Sequence, residues 1–504
     1  MVTLWRASVL LTFIALVFAD TCSELRENTD IHVAGPLALS YLGEQNEYWS
    51  ASCSALKPSC IIFPETPAEV AAVMRVLSSN NETFAVKSGG HSPNNYYASV
   101  DGGPLISTQK LDHVILDPST GIVDIGPGNR LDDVAKKLDG TGWTFVGGRI
   151  GNTGVGGLIL GGGLSYMSAQ YGWSATSVVS YEVVLANGTI TTASATSHPD
   201  LFRALKGGGN NFGIVTNYRL RARPQGQVYG GNLAFLRSPA MDRALLRAVR
   251  DFTEHNTDDR AAVIVTAERV TANLLDSWIL FLFYDGPAPP AGLFANFTSL
   301  KPAIANTLRA RSYADLMAAS NWVVLRGFQV LIGTETVPLP RADRADELLL
   351  DGIHAHWRNV TGEGTTLLVP GLVASIAYQP FPRRIAQRAR EGAGEGGMGD
   401  LIDVEPDADR LIVELNYAFL LPGDYGEMDA KMVETYGGIR ERVVRWQQEG
   451  KLEDVFCPVF MNYGFYRQDY FGRLKPEMRA LAKRVAEEVD PEGVFRTRTG
   501  GWKP

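Results

Sequence analysis

Residues 147–163 read Gly147-Gly148-Arg149-Ile150-Gly151-Asn152-Thr153-Gly154-Val155-Gly156-Gly157-Leu158-Ile159-Leu160-Gly161-Gly162-Gly163, nine glycines in seventeen positions. Glycine has no Cβ, so the backbone amides of such a run can turn toward an anion and approach it closely, as in a pyrophosphate cradle. The spacing fits neither G-x-G-x-x-G nor G-x-x-x-x-G-K-[ST], which excludes a Rossmann or P-loop site. Tight turns between buried strands would use glycine equally well, and two further clusters shift that balance. Lys87-Ser88-Gly89-Gly90-His91-Ser92 lies upstream; Lys206-Gly207-Gly208-Gly209-Asn210-Asn211-Phe212-Gly213-Ile214-Val215-Thr216 lies downstream. Three such loops suggest an extended ligand wrapped by backbone. His91 sits where the flanking chain is stripped of side chains, so a bulky group can reach its imidazole.

Around these loops the composition is that of a folded enzyme-sized chain. The 504 residues are 45% apolar, 20% charged and 10% aromatic, enough for two or three domains with sizeable cores. Disorder and a small disulfide scaffold are excluded on the same grounds. A net charge of −8 lacks the basic footprint of a nucleic-acid binder, and no nucleic-acid partner is expected. Arg6 precedes the apolar run Ala7 to Phe18, and Val17-Phe18-Ala19 supplies a small-residue cleavage site, so residues 1–19 read as a secretory signal. That run is short of the ~20 residues of a spanning helix, and no membrane span is expected after cleavage. Sequons at Asn81, Asn187, Asn296 and Asn359 fit export through a glycosylating compartment. Cys22, Cys53, Cys60 and Cys457 would tend to pair there, in any of three connectivities. No metal motif occurs; His354 and His356, in a stretch rich in Asp and Arg, read as a solvated helical face.

The coarse pattern is α+β. Thr66-Pro67-Ala68-Glu69 opens a helix carrying Val70, Val73, Met74 and Leu77 on one face. A strand at Thr83 to Lys87 follows, then strands at Ile122 to Ile125 and Tyr181 to Leu185, with a helix through Leu131, Val134 and Leu138. Beyond Arg223-Pro224-Gln225 the glycine clusters stop. Helices at Asp242 to Glu254 and Ala342 to Trp357 then alternate with strands at Trp278 to Tyr284 and Leu411 to Phe419. We therefore expect a leader at 1–19, a first domain at 20–224, a second at 225–455, and a terminal segment at 456–504 with a helical stripe of Leu474, Met478, Leu481 and Val485. Glu391 to Gly399 is a glycine-rich loop inside the second domain.

The three glycine clusters, Tyr171-Gly172-Trp173, Asn462-Tyr463 and Val489-Asp490-Pro491-Glu492-Gly493-Val494-Phe495 together resemble the vanillyl-alcohol-oxidase superfamily. Within it the chain is most similar to the berberine-bridge-enzyme-like branch, especially secreted fungal FAD-linked oxidases. The resemblance implies a two-subdomain PCMH-type FAD-binding domain, and a substrate domain whose antiparallel sheet, flanked by helices, roofs the flavin. It implies that Lys87, Ser88, Gly89, Gly90, His91, Ser92, Gly148, Gly151, Thr153, Gly154, Gly157, Gly161, Gly213 and Ile214 hold FAD, with His91 bonded covalently to it. The second-link cysteine of berberine bridge enzymes is Ile150 here, so a single link is expected. A tyrosine found two residues after the linked histidine is Pro93 here. Tyr463 is the expected base, with Asn416 of Asn416-Tyr417 facing flavin or substrate; no cation that would help a phenol ionise is identifiable. The implied activity is a monomeric secreted oxidase passing hydride from a small secondary metabolite to FAD, with O2 as acceptor and H2O2 as product. A carbohydrate oxidase, and a flavin-containing binding protein without turnover, are the alternatives.

Overall fold

Strands His32–Ala34, Ile61–Phe63, Leu105–Ser107 and Ala85–Lys87 form a first sheet in that order, the last three parallel. The computed structural model describes residues 20–270, 275–340, 347–362, 366, 368–392 and 399–504; the leader expected at 1–19, the start of the helix expected from Ala342 and most of the loop expected at 391–399 lie outside them. Helix Pro67–Ser79 crosses between two of these strands and buries Val70, Val73, Met74 and Leu77 completely. Its start follows the sequence signature with one shift. Thr66 accepts from the Glu69 amide at 3.2 Å, whereas the Glu69 carboxylate accepts from Glu65, one residue before the cap.

A second, wholly antiparallel sheet runs Val114–Asp117, Ile122–Ile125, Ile214–Arg221, Val178–Val184, Ile190–Ser194. The first glycine cluster leaves the end of Ala85–Lys87, and the third enters Ile214–Arg221. The run at 147–163 lies between Ile122–Ile125 and Val178–Val184 of the second sheet and carries only the short helix Val155–Leu160. Each glycine loop is thus anchored by a strand or helix end.

The third sheet is the largest. Val228–Leu236, Leu275–Tyr284, Ala261–Val270, Val373–Phe381, Arg410–Phe419 and Gln329–Pro338 pair antiparallel in that order, with short Ala305–Asn306 and Arg309–Arg311 at the outer edge. Side chains alternate between faces along each strand. One face, with Trp278, Leu280, Val265, Ile376, Leu415 and Tyr417, packs on helices Pro239–His255, Glu347–Gly362 and Tyr425–Gln448. The other face turns toward the glycine loops. The terminal helices Pro476–Val489 and Val494–Arg498 pack back on the N-terminal sheets, where the Phe84 amide donates to Arg498 and Phe495 meets Phe84.

His354 corrects the sequence reading of its helix. It is 4% exposed, stacked on Trp278 at 5.1 Å, and faces Asp242 at 3.9 Å, because the Glu347–Gly362 helix turns it onto the sheet and not into solvent. Burial pushes its pKa down to about 4. Of the four cysteines only Cys22 and Cys60 are bonded; Cys53 and Cys457 are buried thiols. All four sequon asparagines are exposed. No helix among the described residues is long and apolar enough to cross a membrane.

The Cys22–Cys60 bond spans 38 residues and ties the first helix to the first sheet. Loop-closure entropy for a loop of this size gives about 3–4 kcal/mol of stabilisation. Cys60→Ser is expected to lower the free energy of unfolding in urea by that order, and an unchanged midpoint would refute it.

Candidate active site

Two glycine loops touch backbone to backbone. A Cβ built on Gly154 would lie 2.3 Å from the Gly89 nitrogen, and one on Gly89 would lie 2.6 Å from the Gly154 Cα. No side chain fits either position. Gly90 adds a φ of +65°, and the Trp49 amide donates to its carbonyl at 3.0 Å. These two loops and residues 209–215 border a cavity of about 580 Å³, closed on the far side by the free face of the large sheet.

That face presents its residues in cross-strand rows. Glu268, Ser375, Asn416 and Ile332 form one row; Thr266, Ala377 and Glu414 form the next, joined to Ile279. Most of the remaining roof is apolar, with Ile264, Phe281, Val373 and Ala418 on the wall and Trp322 stacked over Phe281 at 6.5 Å.

A polar cluster sits where roof and glycine run meet. Arg149, 8% exposed, donates both to the Tyr463 hydroxyl oxygen and to Gln379 Oε1. Tyr463 donates to the same Gln379 oxygen at 3.3 Å, while Gln379 Nε2 donates to Glu414 at 2.6 Å. Burial pushes the Tyr463 hydroxyl up to about 12 against the pull of Arg149, with Glu414 reinforcing the rise. Burial likewise raises Glu414, and Arg149 opposes it. Tyr463 is held in place by its neighbour: Asn462 Oδ1 accepts from the Gly163 amide at 3.0 Å and its Nδ2 donates to the Leu158 carbonyl at 3.1 Å.

His91 stacks on Trp49 with ring centres 4.5 Å apart. Its ring lines the cavity, and burial, helped by Arg130, depresses its pKa to about 3. The imidazole is therefore neutral, with a lone pair on one ring nitrogen.

Most of the residues singled out from the sequence converge here. Ser88, Gly89, Gly90, His91, Ser92, Thr153, Gly154, Gly157, Gly213, Ile214, Asn416 and Tyr463 all line the cavity, as do Ile150 and Pro93. Lys87, Gly148, Gly151 and Gly161 do not. Lys87 is buried in an ion pair with Glu44 at 2.6 Å, and Glu44 also accepts from Ser107. Gly148 packs on Leu131 and Leu158, Gly151 on the Met317 carbonyl, and Gly161 on Asn462. Tyr417 points to the opposite face of the sheet and bonds Thr435 at 2.7 Å. Sequence reasoning missed Arg149, Gln379 and Glu414. Arg149 had a signal, as the one charged residue in the glycine run. Gln379 and Glu414 are identified by strand parity, once Asn416 is known to face the cavity.

Residues 58–194 match the FAD binding domain family. An uncharacterized FAD-linked oxidoreductase of Arthroderma benhamiae is 39% identical over 94% of this chain and 92% of its own length. The FAD-dependent monooxygenase tpcD of Cochliobolus heterostrophus is 32% identical over 90% and 86%. Among solved structures, berberine bridge enzyme from Eschscholzia californica superposes with a TM-score of 0.72 at 17% identity, covering 95% of this chain and 98% of that one. Xylooligosaccharide oxidase from Myceliophthora thermophila in complex with xylobiose gives 0.74 at 19% identity, covering 96% and 99%.

The residues present fit an FAD. The cavity is bordered by glycines of three loops, and the space where a Gly157 side chain would stand is open for 4 Å. On its wall Asn211 Oδ1 is buried without a partner among the described residues. Gly154→Ala is expected to cut bound flavin to less than about a tenth per chain and to lower the melting temperature, since the clash is with backbone. Gly157→Ala, which meets nothing, should melt as the parent does. Flavin absorbance against protein, with thermal melts, checks both.

Proposed function

This chain belongs to the family of FAD-linked oxidoreductases, and from that premise we propose that it is an oxidase of small secondary metabolites with His91 as the single covalent anchor of FAD. The observation that carries the proposal is the Tyr463 hydroxyl, held by Arg149 at a cavity whose opposite walls are the glycine loops and His91. When bound, FAD supplies a hydride acceptor that dioxygen reoxidises with formation of hydrogen peroxide.

The chain's own residues do the rest. The neutral His91 imidazole has the free lone pair that a covalent bond to the cofactor requires. Ile150, on the same cavity wall, offers no thiol for a second bond. Tyr463 takes the substrate proton on its oxygen, which Arg149 steadies as charge develops. Glu414, which accepts from Gln379 Nε2 beside Tyr463 and whose carboxyl is raised by burial, is the neighbouring group to which the phenol proton can pass before Tyr463 acts as a base. Ile264, Ile279, Phe281, Val373 and Ala377 exclude water and favour a ring compound over a sugar, whose many hydroxyls would each need a partner. A carbohydrate oxidase is the second reading, supported by the likeness to xylooligosaccharide oxidase along the whole fold. The Cys22–Cys60 bond and the exposed sequons support export through an oxidising compartment, with the four asparagines as glycan sites.

Four measurements on the purified protein test this reading. Its band on an acid-rinsed denaturing gel should fluoresce under ultraviolet light, and His91→Ala should not; a dark parent band without yellow colour in the native protein would end the flavin assignment. Tyr463→Phe should lower kcat by about 10²-fold or more with flavin retained. A base works only once deprotonated, so kcat rises with pH through its pKa; Arg149 pulls that pKa down, and Arg149→Gln should therefore move the rising limb to higher pH. One peroxide released per O2 consumed identifies an oxidase, whereas oxygen retained in product would identify a monooxygenase.

A further inference from the structure

Glu268 is a carboxylate on the cavity roof that the chemistry above does not use. The neighbouring cation in sequence, Arg269, points to the other face of the sheet, where it bonds Asp276 at 3.2 Å and the Arg358 carbonyl at 2.8 Å. Arg149, the cation nearest the reacting end, is taken by Tyr463 and Gln379. No side chain of the described residues pairs with Glu268, and burial raises its pKa with no neighbouring charge opposing. A partly desolvated carboxyl without a partner is unfavourable unless a ligand supplies one.

Its surroundings extend the pattern. Glu268 faces Ser375 across the ladder, and Ser375 faces Asn416. Ser375 Oγ donates to the Asn416 backbone carbonyl at 3.4 Å, and the Asn416 amide makes no side-chain hydrogen bond among the described residues. This polar row is bounded by apolar Val373 and Ala418 on one side; on the other lies the row of Glu414, two residues along the same strand from Asn416. Glu268 itself stands two strands over from the strand of Glu414, about 10 Å across the ladder, and one row, about 7 Å, along it.

Building on the Tyr463 assignment, we propose that Glu268, flanked by Ser375 and Asn416, is the substrate anchor: it accepts a hydrogen bond from an N–H or O–H group of the substrate. The substrate class is then a ring compound carrying a hydrogen-bond donor at the end remote from the C–H bond presented at Tyr463. Glu268 selects and orients; it transfers no proton.

Titration calorimetry of the flavin-loaded protein with benzylamine, benzyl alcohol and benzyl methyl ether tests this without turnover. At least one of the two donors should bind tenfold or more tightly than the ether, which has the same ring and no donor. Glu268→Leu should erase that preference, with flavin content and melting temperature as folding controls. Glu268→Gln, closer in shape, should lose benzylamine selectively if the donor is an ammonium and keep benzyl alcohol if it is a hydroxyl. The preference should persist in Tyr463→Phe, so an error in the base shows as undiminished turnover there while anchoring stands. An ether bound as tightly as both donors, or a donor preference that survives Glu268→Leu, overturns the proposal.

Discussion

The contact of Gly89 with Gly154 governs the architecture of the site. Two loops, 65 positions apart in sequence and anchored by different sheets, meet without side chains between them. The pair aligns His91 on one loop with Arg149 and Ile150 before the other, and it leaves the cavity on the side where both backbones are bare. Around this contact the chain invests unusually in buried polar groups: Lys87 with Glu44 below the first loop, Arg149 with Gln379 above the second. Removing one partner of the buried Lys87–Glu44 ion pair costs about 3–5 kcal/mol, so it holds the first loop to one position.

The large sheet solves a different problem. Its helix-covered face is filled mainly by apolar side chains such as Trp278, Leu415 and Tyr417, whose polar atoms are paired with Asp242 and Thr435. Its cavity face must be mostly apolar, to exclude water, yet carry a few polar groups at defined separations. Strand alternation and antiparallel register do this automatically: Glu414 and Asn416 share a face because they are two apart, and Glu268 joins them through Ser375 because the register places it there.

These two halves differ in how far they could be read beforehand. The glycine loops were legible because a glycine that accepts no Cβ leaves a mark in the sequence that no other residue can replace, and His91 stands inside such a mark. Helix Pro67–Ser79 was legible from its cap and stripe. Lys87, Gly148, Gly151 and Gly161 show the limit of motif reading: they share the motifs but face protein, because alternate residues of a strand or turn point away from the ligand. The roof was not legible. Gln379, Glu414 and Glu268 lie on three strands more than 30 residues from one another or paired out of sequence order, and only register brings them to one face. His354 failed for a related reason. Its charged neighbours suggested solvent, but Asp242 and Trp278 come from a distant helix and strand.

The bonds of Asn462 to the glycine run also bear on the order in which the protein can be made. Asn462 reaches the Gly163 amide across 299 positions, and Arg498 reaches the Leu77 carbonyl across 421. The cradle is written early in the chain and its clasp late. A ribosome that has released the first 450 residues has produced every glycine loop, but not the tyrosine that faces them or the aromatic helix end beneath the first sheet. The complete pocket can arise only once residues 462, 463 and 498 have been made, so assembly of the finished site cannot be left to an early-folding N-terminal half.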